Sequence, residues 1–294
     1  MVETSPALSG VWVKRAGAWP DRAATVTMWS VALLTAAVFA WILGDLVRHG
    51  LPHLSWTFLT EAPRDAGRAG GIAPILVSTL MIMGVCLAVS VPIGVGSAVL
   101  LAEFSPTGWF GRVVRRSLDV LAGVPSIVFG LFGNAFFSIY LGLGFSILSG
   151  GLTLACMVLP ILIRSSEASL RSVPDDYRKA AAALGISQAA AIWRILLPAA
   201  TPGLLVGLVL GIGRALAETA ALLFTSGYVD RMPGSLMDSG RALSVHIYDL
   251  AMNVPGGTGP AYATAFVLIM LLAVINLVTS WTADRWLHRR VIRA

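Results

Sequence analysis

Along this chain, long apolar runs alternate with short stretches that hold nearly all of the charge. The runs fall at residues 25–47, 72–102, 120–141, 147–163, 202–224 and 261–282. Neither 72–102 nor 120–163 contains an Asp, Glu, Lys or Arg. One helical crossing of a bilayer needs about 20 residues, so the second of these stretches is long enough for two. Gly142, Gly144, Gly150 and Gly151 predict the turn between them. In the second run, Pro92 with Gly94 and Gly96 predicts a kink or break, tolerable only where freed backbone groups meet protein or water. The first run is too long for the apolar core of a secretory signal, and no small-residue cleavage site follows it, so it is expected to remain as a span. The expected fold is an all-α integral membrane protein of six transmembrane helices over 25–283. A cytoplasmic segment 1–24 precedes that domain, and a basic cytoplasmic tail 284–294 follows it.

Composition agrees: 56% of the residues are hydrophobic and 12% charged, with mean hydropathy +0.80, which excludes an ordinary globular enzyme. The net charge of +6 raises the question of a nucleic-acid partner, but the 21 Lys and Arg cluster between apolar runs, as topogenic charges do. With the N-terminus inside, fifteen fall on the cytoplasmic side: Lys14, Arg15 and Arg22 before the first span, eight more in the two cytoplasmic loops, and Arg285, Arg289, Arg290 and Arg293 in the tail. Five fall outside, so the positive-inside rule places both termini in the cytoplasm. Cys86 and Cys156 lie within apolar runs with no second Cys or His at ligand spacing, and the four histidines are scattered, so no disulfide or metal site is expected. Residues 225–260 form a long external connection rich in Gly, Pro and Asp.

Between the fourth and fifth runs, residues 164–201 read RSSEASLRSVPDDYRKAAAALGISQAAAIWRILLPAATP. Ser172 with Asp175 has the spacing of a capping box, Pro174 suits the first turn, and Asp175 and Asp176 complement the helix dipole. Gly185 ends this helix, and Ser187 is placed to cap a second one running to Leu197 before Pro198. Two short helices meeting at a glycine make a knob suited to a partner's groove; an amphipathic linker lying on the membrane fits the spacing equally well.

Ala180, Ala181, Gly185, Ile195, Leu197 and Pro198 match the EAA loop of prokaryotic ABC-importer permeases, E-A-A-x3-G-x9-I-x-L-P, with Lys179 where that family usually has Glu. The stretches VPIGVGSAVLLAEF (91–104), AGVPSIVFGLFG (122–133), GRALAETAALLFTSG (213–227) and LSVHIYDLAMNVPG (243–256) resemble the phosphate permeases of this superfamily, the last pointing to the A-type rather than the C-type subunit. The matches extend over residues 75–280. This resemblance implies a permease subunit of an ATP-driven phosphate importer in a prokaryotic cytoplasmic (inner) membrane, with 173–198 as its coupling-helix loop. It further implies a C-type permease partner in a heterodimer, a homodimeric cytoplasmic ATPase and an external phosphate-binding protein. ATP and Mg would belong to the ATPase, since no G-x4-G-K-[ST] sequence occurs here and this chain is expected to bind no cofactor.

Two charges interrupt the fifth run. Arg214 and Glu218 are four residues apart and in a continuous helix would share a face. Charge at the bilayer centre is costly by about 2.5 kcal/mol or more and survives against a cavity or a partner. One reading is an ion pair that fixes packing; the other has Arg214 presenting its planar fork to a phosphate, Glu218 orienting it and Thr219 adding a hydroxyl. Ser126, after Pro125, is a further candidate contact beside a helix break. Ala215, Ala217, Ala220 and Ala221 allow close helix packing. Glu103 and Asp119 flank a cytoplasmic loop and are given no chemistry.

Overall fold

The computed structural model describes residues 18–106 and 108–291, with side chains from Arg22 to Trp281 apart from Thr107. Lys14 and Arg15 lie outside the described residues, as do the side chains of Arg285, Arg289, Arg290 and Arg293. The described residues divide into two compact units, one ending at Arg48 and the other beginning at His49. Most of α1 (Ala18–Gly50) belongs to the first, and the apolar helical stretch Arg22–His53 is long enough to cross a membrane.

The second unit opens with α2 (Trp56–Thr60), whose first turn is capped where the Phe58 N–H donates to Ser55 Oγ at 3.1 Å. An antiparallel ribbon of β1 (Pro63–Arg64) and β2 (Ala69–Gly70) follows, a small departure from the all-α expectation. Then come α3 (Ala73–Val99), α4 (Trp109–Ala122) and α5 (Ser126–Gly133), α6 (Ile147–Ser172), α7 (Asp175–Ala183), α8 (Gln188–Ala191), α9 (Leu197–Leu216), α10 (Ala220–Leu223), α11 (Leu243–Met252) and α12 (Thr258–Val291). Five helical stretches are long and apolar enough to span, and α4 with α5 and its continuation to Tyr140, bent by 101°, makes a sixth if the pair is one crossing. With the bent pair counted as one crossing the expected six spans are reached, and several boundaries move.

α3 runs on through a π turn to Phe104 without the predicted break. Gly94 is there for packing: a Cβ would come within 2.8 Å of Leu162 Cδ2. Gly150 and Gly151 lie inside α6 rather than in the turn; their missing side chains admit Ser226 and Val85, while Gly142 and Gly144, with φ of 69° and 62°, make the turn itself. The fourth span continues nine residues past Ile163 to Ser172, because its charged C-terminal end remains helical. In the fifth, the helix begins at Gln188 and continues through a π turn at Ile192–Leu196 into α9. Pro198 has no N–H for an ordinary helical bond, and the turn widens so that Leu197 N–H donates to the Ile192 carbonyl. The second short helix expected to stop at Leu197 is thus the start of the span.

The core lies between α3, α6 and α9, with α11 and α12 packed beside it. Gly203, Gly207 and Gly211, one turn apart on α9, face Ser169, Ser165 and Val158 of α6, and Ala215 continues the stripe. Ser169 Oγ donates to the Ala200 carbonyl at 2.6 Å across this contact. Small residues at four-residue spacing let two helix backbones approach where apolar burial gives no driving force between them.

Candidate functional site

Two helix interruptions meet within the membrane domain. The first is at 123–125, where α4 turns into α5 after Pro125 and leaves Ser126 half-buried in the first turn of α5. The second is at 217–219, where α9 ends at Leu216 and α10 begins at Ala220. They are brought together by α5 packing on α10: a Cβ on Gly130, one turn beyond Ser126, would come within 2.8 Å of Ala221 Cα.

The break at 217–219 interrupts the continuous helix on which the shared face of Arg214 and Glu218 was expected. Among the described residues no ion pair or hydrogen bond joins them. Arg214 sits in the last turn of α9, where its charge complements the helix dipole, and its side chain is exposed on this chain. Glu218 has other partners: Ala221 N–H donates to its Oε1 at 3.3 Å, and Ser244 Oγ of α11 donates to its backbone carbonyl at 2.6 Å. Thr219 is the N-cap residue of α10 without a side-chain cap bond. The second break thus leaves the guanidinium fork of Arg214 open, gives the Glu218 carboxylate to the first turn of α10 and gives the Glu218 backbone carbonyl to α11.

In the loop between α7 and α8, Gly185 has φ of +68°, Gly185 N–H donates to the Ala182 carbonyl at 3.0 Å, and Ile186 N–H donates to the Ala181 carbonyl at 3.0 Å. This Schellman motif is the stop predicted for α7, and only glycine adopts its φ without strain. Ser187 caps α8 as expected, accepting from Ala190 N–H at 3.4 Å. Ser172 does not cap α7: its hydroxyl donates to the Ser169 carbonyl, because residue 172 still belongs to α6, and Pro174 takes the cap position. Ala181 is buried, while Ala180 is exposed and Lys179 reaches only Asp176 at 3.8 Å with both side chains exposed. Ile195 and Leu197 are half-buried, in the π turn and in the residue after it.

Glu103 has a role that its sequence position does not announce. Its carboxylate, 7% exposed, accepts from Arg178 Nε at 3.1 Å and Nη2 at 2.7 Å. The same guanidinium donates to the carbonyls of Val173 and Leu170 at 2.9 Å each, and this pairing raises the Arg178 pKa, the Glu103 hydrogen bond being the largest cause. Beside it, buried Glu167 accepts from Arg115 at 2.6 Å and Arg171 at 3.0 Å, and Asp119 pairs with Arg164 at 2.8 Å. The only signal in the sequence was a lone Glu at the end of an apolar run and an Arg 75 residues later.

In the connection between α10 and α11, Arg241 donates to Asp249 Oδ2 at 3.0 Å and to the Tyr228 carbonyl at 2.8 Å, tying the loop before α11 to that helix. His246 is buried next to Arg241, and burial, with that cation, pushes its pKa down to about 4. No group of three or more His, Cys, Asp or Glu suited to a metal occurs among the described residues.

Residues 90–293 match the family described as the binding-protein-dependent transport system inner membrane component. The phosphate transport system permease protein PstA of Mycobacterium leprae is 35% identical over 263 residues, covering 87% of this chain and 86% of that protein. PstA of Haemophilus influenzae is 33% identical over 242 residues, covering 81% and 85%. Among solved structures, a bacterial ABC transporter involved in the import of the acidic polysaccharide alginate superposes with TM-score 0.60 at 16% identity, covering 91% of this chain and 98% of that one.

Proposed function

The chain belongs to the family of binding-protein-dependent transport system inner membrane components, and from that membership we propose that it is one permease subunit of an ATP-driven phosphate importer. The observation that carries the substrate is the 35% identity, over most of both chains, to a phosphate transport system permease. Similarity of fold does not choose a substrate, since the alginate transporter shares it.

In this reading the two interruptions at 123–125 and 217–219 supply the polar part of the path. Broken helices are where membrane transporters place polar backbone and ligand contacts. Arg214 offers a planar pair of donors to two phosphate oxygens, with Ser126 and Thr219 as hydroxyl contacts. A single cation suits passage of the anion, because too strong a hold on a dianion would prevent its release. Glu218 shapes the break rather than orienting Arg214.

Residues 173–198 form the docking loop for a homodimeric cytoplasmic ATPase, with Lys179, Ala180, Ala181, Gly185, Ile195, Leu197 and Pro198 setting its shape. ATP and Mg stay on that ATPase. A C-type permease completes the path as a heterodimer partner, and an external binding protein delivers phosphate. The chain lies in the cytoplasmic (inner) membrane of a prokaryote with both termini in the cytoplasm. Single cysteines replacing the exposed Ser187 and Ser235, with Cys86 and Cys156 removed, test the orientation: an impermeant reagent labels Ser235→Cys in sealed cells and Ser187→Cys only after lysis. Anion competition tests the substrate. Excess phosphate abolishes uptake of labelled phosphate while equal sulfate or molybdate leaves it intact; inhibition by sulfate or molybdate would reassign the importer to another oxyanion.

A further inference from the structure

α7 touches the rest of the chain on one side only. Asp176 and Lys179 side chains are 90% and 78% exposed and Leu184 is 77% exposed, whereas Ala181 and the head of Arg178 turn inward. The strongest link from α7 to a span is the two-pronged bond between Arg178 and Glu103. Glu103 sits in the π turn that ends the stretch Ala73–Phe104. That end is itself anchored: the Leu101 carbonyl accepts from Arg115 at 3.0 Å, and the Ser105 and Pro106 carbonyls accept from Arg115 at 3.1 Å and Arg171 at 3.0 Å. Three arginines from α4, α6 and α7 thus close the cytoplasmic end of α3, where carbonyls and the helix dipole favour cations.

The same helix reaches the external side without a break. Thr79 Oγ1, buried near its outer end, accepts from the Leu243 N–H at the start of α11 at 2.9 Å. From Thr79 to Glu103 is about 36 Å of helix at 1.5 Å per residue. One rigid element therefore holds the docking loop at one end and the external α11 at the other.

We propose that Glu103 is a positioning residue that fastens the ATPase-docking loop to α3, so that displacement of α7 is carried along α3 to the contact between Thr79 and Leu243. The proposal rests on the reading that residues 173–198 meet the ATPase. It has the physical requirement of a coupling path, a rigid element touched at both ends, and the energetic coupling is what the experiment measures.

The test uses the complete complex, with both permeases, ATPase and binding protein, in proteoliposomes, and reads phosphate moved per ATP hydrolysed. Glu103→Gln keeps the shape and loses the charge; Thr79→Val keeps the shape and loses the acceptor. Both are expected to assemble with the ATPase bound and to lower the ratio by about tenfold, within the usual range of coupling between sites, with hydrolysis continuing. Glu103→Asp, which keeps the carboxylate, is expected to restore part of it. If Glu103→Gln does not assemble, Arg178→Lys, which keeps the charge but loses the fork, takes its place with the same expected loss. An unchanged ratio at either end overturns the proposal, and so does failure of both Glu103→Gln and Arg178→Lys to assemble, which would make the pair a folding element. Gly185→Asp separates the two readings: if it leaves ATPase binding and coupling normal, the docking loop is wrong; if it uncouples while Glu103→Gln does not, only the role of Glu103 is lost.

Discussion

Arg214 lies in the last turn of α9 and Glu218 two residues past its end, where the carboxylate accepts the Ala221 N–H at 3.3 Å instead of meeting the guanidinium. This changes what a mutation at Arg214 does. Removing a partner from a buried ion pair strands a charge and is destabilising by several kcal/mol, but no such pair exists here to break. Arg214→Ala is therefore expected to accumulate and assemble like the parent. Loss of charge-assisted bonds to the anion, worth about 1.5–3 kcal/mol, should lower uptake by roughly tenfold or more. Arg214→Lys keeps the charge without the planar fork and is expected to be strongly impaired. The check is ATP-dependent phosphate uptake normalised to assembled complex; near-parental uptake by Arg214→Ala would remove it from the path.

The glycine stripe of α9 predicts a contrast between two positions six residues apart. At Gly207 a Cβ would lie 2.6 Å from Ser165 Oγ, whereas at Gly213 nothing lies within 4 Å. Gly207→Leu should force α6 and α9 apart and destabilise the chain by about 1–3 kcal/mol, while Gly213→Ala should leave its packing intact. Thermal stability of the solubilised permease measures both, and equal tolerance would contradict the close approach.

His246 makes stability depend on pH. Its folded pKa of about 4 lies below the ordinary 6.5, so in this window the unfolded chain binds a proton that the folded chain does not. Stability is full above pH 6.5 and falls as pH drops from 6.5 toward about 4, by an amount on the order of 3 kcal/mol in total. Arg241 opposes protonation and Asp249 and Asp230 favour it, but burial dominates. His246→Gln should flatten the curve over that interval in a pH series of thermal stability, and an unchanged slope would assign the dependence elsewhere.

Much of the architecture is legible in the sequence because lipid constrains it strongly. Apolar length gives the spans, and the conformational demands of Gly185 and Ser187 give the loop. What was not legible has identifiable causes. Apart from Arg214 and Glu218, the run 202–224 is apolar and rich in small residues, and no Gly or Pro between Arg214 and Phe224 marks the end of α9 at Leu216. Four-residue spacing of Arg214 and Glu218 implied a shared face only if the helix continued. The Gly203, Gly207, Gly211 spacing is present in the sequence, but only the backbone approach to α6 reveals its packing role. The Glu103 and Arg178 bond joins residues 75 apart, and no local pattern reports such a contact.

Transport by this chain is tested most directly by phosphate uptake into proteoliposomes holding it with its permease partner and ATPase, with binding protein outside and ATP either enclosed or omitted. Phosphate is expected to accumulate against its gradient only when ATP and the binding protein are both present, and not at all when Gly185→Asp replaces the parent chain. Accumulation without ATP, or undiminished accumulation with Gly185→Asp, would contradict an ATP-driven importer coupled through residues 173–198.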